Sequence, residues 1–122
     1  MSAGEAPATD ASTGRLLVLG YALSGGVLWW AAHLVVASIL VPTVCDRGGE
    51  WTIHLTTAVT ALGAITALWA SVAMRRGQTP VEVENQRTQF LSLVAILFNA
   101  ASLALILLEG IAPVLVLSEC AR

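Results

Sequence analysis

Apolar residues in this chain fall into three long runs separated by short polar breaks. Residues 16–41 and 51–74 carry no formal charge, and residues 90–117 carry one, Glu109. A helix that spans a bilayer needs ~20 apolar residues at a rise of ~1.5 Å each, so each run predicts one transmembrane helix. The breaks predict the rest. Residues 1–14 are rich in Ala, Ser, Thr and Gly and include Glu5, Pro7 and Asp10, which predicts a flexible polar tail without a core. Residues 42–50 read as a tight turn broken by Pro42 and Gly48–Gly49, and residues 75–87 as a polar loop. Gly110 and Pro113 are expected to end or kink the third helix near its far side. The first run is too long, and too acidic before Arg15, for a cleaved signal peptide. The expected fold is an all-α membrane protein: residues 15–122 form one domain of three transmembrane helices in an antiparallel bundle.

Composition agrees. Of 122 residues, 57% are hydrophobic and 11% charged, with a mean hydropathy of +0.79. A soluble domain is ~25% charged, and this chain has too few charges to cover a water-facing surface. All six basic residues are arginines: Arg15, Arg47, Arg75, Arg76, Arg87 and Arg122. The largest basic cluster is the Arg75–Arg76 pair, which excludes nucleic acid binding by phosphate neutralisation. No GxGxxG, P-loop, HExxH or CxxC occurs, so soluble-enzyme chemistry is set aside and no catalytic residue is assigned. With three spans, Arg15, Arg75, Arg76 and Arg87 share one side and Arg47 and Arg122 the other. The positive-inside rule then puts the N-terminus inside and the C-terminus outside. The chain is short for a transporter unless several copies assemble.

That topology puts both cysteines, Cys45 and Cys120, on the outer face, where disulfides persist. Two arrangements remain open: a Cys45–Cys120 bridge clamping helix 3 to the first turn, or two independent thiols.

Polar groups inside hydrocarbon are costly unless paired, neutral or beside water, which singles out His33, His54, Asn99 and Glu109. At helical rise, His33 and Glu109 each lie ~12 Å below the outer end of their spans, and His54 only ~5 Å. Helical spacing places small and polar residues in stripes: Ala22, Gly26, Trp30, His33 and Ala37 on helix 1, and Glu50, His54, Thr57, Ala61 and Ala64 on helix 2. A second row on helix 2 holds Gly63, Ala67 and Ser71. Helix 3 presents Ser92, Ala95, Asn99, Ser102, Ile106, Glu109 and Pro113. Small residues let helices approach closely in lipid and polar ones hydrogen-bond across the contact, so the stripes are expected to face inward.

The histidines admit three readings. The first is structural: an interhelical His33–Glu109 hydrogen bond, with His54 near interfacial water beside Glu50. The second is a metal or haem site built from His33, His54 and Cys45, because imidazole and thiolate suit copper and iron; no CxxCH attachment motif accompanies it. The third is a proton relay. Trp51 suits an outer aromatic belt and Trp69 the inner end of helix 2, whereas Trp29 and Trp30 lie deep enough to pack against another helix.

The segment Gly-Gly-Val-Leu-Trp-Trp-Ala-Ala-His-Leu (25–34), followed by Cys45, Trp51, His54, Thr56 and Thr57, resembles a family of small uncharacterised bacterial three-span membrane proteins. In that family a Trp-x-x-His on the first span precedes a loop cysteine and a His-x-x-Thr opening the second, matched here by Trp30, His33, Cys45, His54 and Thr57. Some members are encoded beside cytochrome c oxidase assembly genes. The resemblance covers the first half of the chain and implies association with respiratory-chain assembly rather than an activity. The expected function is a non-enzymatic accessory or assembly subunit of the bacterial cytoplasmic membrane, without a cofactor, in contact with lipid and with other membrane subunits or further copies of itself. The alternatives are a protein that handles haem or copper near the outer face, and a small homo-oligomeric transporter using Glu109 as its proton-coupled carboxylate.

Overall fold

The computed structural model describes residues 5–76 and 83–120, apart from the side chains of residues 5–12, 83–86, 88, 113–114 and 116–120. Three helices account for the described chain: α1 (Glu5–Arg47), α2 (Trp51–Arg76) and α3 (Val83–Cys120). Each contains a segment long and apolar enough to cross a membrane: 35 residues in α1, 26 in α2 and 24 in α3. At ~1.5 Å per residue even the shortest is ~36 Å, against a hydrocarbon core of ~30 Å. This is the architecture of a multi-pass membrane protein.

The helices outrun their expected boundaries. Residues 5–14, expected as a flexible tail, continue α1. Ala6, Ala8 and Ala11 are strong helix formers. Pro7 falls in the first turn, where a backbone N–H has no intrahelical acceptor to lose. Pro42 does not open the turn either; α1 runs through it to Arg47. A proline there costs only the link back to the Ser38 carbonyl, and the turn beyond it is held by packing. Val44 and Ile53 are buried against each other, with Leu40 and Val41 beside them.

The real break is two glycines later. Gly48 and Gly49 have φ of +75° and +103°, where a side chain is strained, and Gly48 N–H closes the helix by donating to the Val44 carbonyl at 2.8 Å. The Thr52 N–H and Thr52 Oγ1 both donate to the Gly49 carbonyl, at 3.0 and 2.8 Å, starting α2. Residues 48–50 are the whole connection.

α3 likewise passes Gly110 and Pro113 without ending and reaches Cys120. In an apolar surround a broken helix strands backbone groups with no water to satisfy them, so one proline does not stop the run. Gly110 serves packing instead: a Cβ there would stand 2.5 Å from Thr57 Cγ2.

All three pairs of helices touch. Ala22 meets Ser71, Gly25 meets Ala67, Trp29 meets Gly63 and His33 meets Thr60, so positions rise on α1 as they fall on α2. Between α2 and α3, Ser71 meets Asn99 and Thr57 meets Gly110. Small residues make up most of the core, with Ile53, Ile106, His33 and Asn99 the largest side chains inside it. Ala22, Ala64, Ala67, Ala95, Ser71 and Ser92 are all fully buried, while Leu16, Leu28, Ile39, Leu62, Leu97, Leu108 and Leu115 point outward. Lipid tails are as apolar as leucine, so nothing drives those leucines inward, and close backbone approach is the source of adhesion.

Candidate functional site

The polar side chains of the three helices gather into two layers of the interior. The deeper layer centres on Asn99, which is fully buried. Its Oδ1 accepts from the Gly26 N–H at 2.8 Å, and its Nδ2 donates to the Ala22 carbonyl at 2.6 Å and to Ser71 Oγ at 2.7 Å. The Ala67 carbonyl lies at a longer 3.3 Å. Two N–H bonds serve three acceptors, so the third is shared. Residues 22 and 26 are the two ends of one i to i+4 link of α1, and the Asn99 amide engages both. Gly26 allows this because a Cβ there would fall on the Asn99 side chain and 2.8 Å from its Cα. Ser71 Oγ donates within the same knot, lying 3.0 Å from the Ala22 carbonyl and 2.9 Å from that of Ala67.

Beside this layer Tyr21 finds partners for its hydroxyl. The hydroxyl accepts from Trp29 Nε1 at 3.1 Å, lies 2.6 Å from Thr66 Oγ1 and donates to the Gly63 carbonyl at 3.2 Å. The Trp29 indole sits so close to Gly63 that a Cβ at position 63 would collide with it.

The second layer holds His33 and Glu109. His33 is 1% exposed, and its Nδ1 lies 3.1 Å from Thr60 Oγ1. The Thr60 hydroxyl also lies 2.8 Å from the Thr56 carbonyl and 3.2 Å from that of Thr57, so it links His33 to the α2 backbone. Glu109 pairs elsewhere: its Oε1 accepts from Trp30 Nε1 at 3.1 Å, and its Oε2 is buried without a hydrogen-bond partner.

The expected His33–Glu109 hydrogen bond is therefore not made. His33 turns to α2 and the carboxyl of Glu109 to the residue one turn earlier on α1. Equal depth brought the two into one layer, but direction around each helix gave them different partners. Thr57 lies against Gly110, and its hydroxyl donates to the Ile53 carbonyl at 3.0 Å. His54 is exposed, as is Glu50, because Ile53 takes the inward position in that turn.

The buried line of α2 thus runs Ile53, Thr60, Ala64, Ala67, Ser71, with Ala61 and Gly63 beside it, rather than starting at Glu50 and His54. With His33 enclosed and His54 outside, the metal set of His33, His54 and Cys45 does not assemble. Among the described residues no three of His, Cys, Asp and Glu come together. Cys45 is exposed near the end of α1, and the side chain of Cys120 lies outside the described residues.

Sequence reasoning missed two contributors. Thr60 follows Thr57 by three residues and could have been found as the only hydroxyl at His33's level on α2. Tyr21 is the sole tyrosine, and a phenol in hydrocarbon requires a partner. No family model matches the chain, and no curated protein or solved structure does either.

Proposed function

We propose that this chain is a non-enzymatic integral membrane subunit that works by helix contact, as an accessory or assembly component of a larger complex in a bacterial cytoplasmic membrane. The observation that carries this reading is Asn99. The best-placed polar side chain of the interior binds backbone and side-chain groups of both other helices, so its chemistry goes into holding the bundle together. The outward surface, with Trp69 at 71% and Trp51 at 67% exposure, is left for lipid and for other helices. The resemblance around Trp30, His33, Cys45, His54 and Thr57 makes the partner a respiratory one.

In this reading the helices form an antiparallel bundle, N-terminus inside and C-terminus outside, consistent with the falling register between α1 and α2 and with the four-to-two division of arginines. It includes a Cys45–Cys120 disulfide on the outer face, supported by the absence of a free cysteine among the described residues. Purification in mild detergent is the test: oxidase-type subunits should accompany the chain. A preparation that is only a homo-oligomer of this chain overturns the reading. For the disulfide, a thiol-reactive polymer should shift the protein on a gel only after reduction, and a shift without reduction rules the bridge out.

A further inference from the structure

At the end of the bundle away from Glu109, the inward stripes of α1 and α2 run out into arginines. Ser71 Oγ lies 3.0 Å from the Ala22 carbonyl, which fixes a common level for the two helices. Arg15 stands seven residues before Ala22, ~20° short of two turns, and Arg75 four residues after Ser71, ~40° past one. Each therefore continues the stripe of its own helix, ~10 Å and ~6 Å beyond that level, and Arg76 follows at ~8 Å. All three are exposed, and α2 ends at Arg76.

No described carboxylate answers them. Asp46, Glu50 and Glu109 lie on the far side of the Asn99 layer. Asp10 on α1 and Glu84 on α3 stand ~8 Å and ~12 Å farther out than Arg15. Depth identifies the anion that fits. α2 has 26 residues, ~39 Å, against ~40–45 Å for a bilayer with its headgroups, so its closing arginine pair lies at phosphate level. The surface next to the charges is apolar. Leu16, Leu17 and Val18 are all more than half exposed, as is Trp69, two turns before Arg76 on the same face of α2. A cationic head above an apolar wall is the complement of a lipid.

We propose that Arg15, Arg75 and Arg76 bind the phosphate of an anionic phospholipid whose acyl chains lie along Leu16, Leu17 and Trp69. Guanidinium groups from two helices present paired N–H donors to the phosphate oxygens, while their methylene stems stay on the apolar surface. A zwitterionic lipid carries its own cation beside the phosphate and gains less from the site. The site goes beyond the accessory-subunit reading, does not depend on it, and holds in either orientation of the bundle.

The test is native mass spectrometry of the full chain released from neutral detergent, with phosphatidylglycerol or phosphatidylcholine titrated in. Each arginine near the surface is worth roughly a fivefold change in affinity for an anionic lipid. The double variant Arg15→Gln, Arg75→Gln should therefore weaken phosphatidylglycerol retention about twenty-five-fold, and Arg76→Gln alone about fivefold. Arg47→Gln, at the opposite end, should leave it unchanged. The variants remove exposed side chains outside the interior network, and an unchanged far-UV spectrum verifies their fold. Equal retention of the two lipids by the native protein overturns the proposal, as does equal retention of phosphatidylglycerol by the native and double-variant chains. Inorganic phosphate should not displace the lipid; displacement reassigns the arginines to a soluble anion and overturns the lipid assignment. If the double variant keeps the lipid but loses a co-purifying protein, the arginines serve a protein contact and the proposal fails.

Discussion

Replacing Asn99 with alanine removes the side chain that touches all three helices. Three of its hydrogen bonds are short, to Gly26 N–H, the Ala22 carbonyl and Ser71 Oγ. Between membrane helices such bonds average ~0.6 kcal/mol each and reach ~1.7, so the loss is about 2 kcal/mol on the average and about 5 at the upper limit. Two effects pull the figure down. Gly26 N–H can return to the Ala22 carbonyl within α1, and Ser71 already lies 3.0 Å from that carbonyl. One pulls it up, since alanine leaves a void where the amide was. The expected destabilisation is therefore about 2–3 kcal/mol.

The assay is the midpoint of unfolding as a denaturing detergent replaces a mild one, followed by far-UV circular dichroism. Ser102→Ala is the control, because Ser102 is as deeply placed on the same face but bonds only the Phe98 carbonyl of its own helix. Its loss should cost no more than about 0.5 kcal/mol, the ordinary scale of a substitution away from such features. If the two variants unfold at the same point, Asn99 is not the clamp described above.

Three further outcomes follow from the packing. Gly63→Val forces the Trp29 indole from its seat and should destabilise the protein by roughly 1–3 kcal/mol, with a shift in tryptophan emission that reports the movement. Gly48→Ala places a side chain at φ +75° and should cost about 1–2 kcal/mol in the same detergent titration, although nothing lies within 4 Å of the new methyl group. His33→Ala and Thr60→Val should each destabilise, and the double variant should cost less than their sum by ~0.6 kcal/mol, the value of a single interhelical bond; strict additivity would separate the two residues.

How much of this was readable from the chain depends on which coordinate is asked for. Of the inward stripe expected on α3, Ser92, Ala95, Asn99, Ser102 and Ile106 keep helical spacing and every one is buried, Glu109 is half-buried, and the side chain of Pro113 lies outside the described residues. Helix 1 was nearly as clear, with Ala22, Gly26 and His33 inside. Helix 2 was misread at its start. Its first turn mixes Glu50, Ile53 and His54, and which of them faces inward is decided by Val44 on the previous helix, which periodicity within α2 cannot see. The His33–Glu109 pairing failed for a related reason. Counting residues from a helix end gives depth, but partnership also needs the angle around the axis, and a threonine or an indole nearby can supply a better geometry. The helix ends were hidden because Pro42, Pro113 and the polar residues 5–14 carry breaker or tail signals that apolar surroundings and alanine propensity outweigh.

The two positive-φ glycines also bear on the order of assembly. A connection of only residues 48–50 makes α1 and α2 neighbours by chain geometry, with almost no loop-closure entropy to overcome. That pair has its own polar fastening, from the Ser71 hydroxyl to the Ala22 carbonyl and from His33 to Thr60, and can form as the chain enters the bilayer. α3 then arrives as a late partner carrying Asn99, whose amide fits only where Gly26 and Ala22 already stand in register with Ser71. The hairpin acts as a template and α3 as the strand of information that checks it: a misregistered hairpin would offer Asn99 no place to dock.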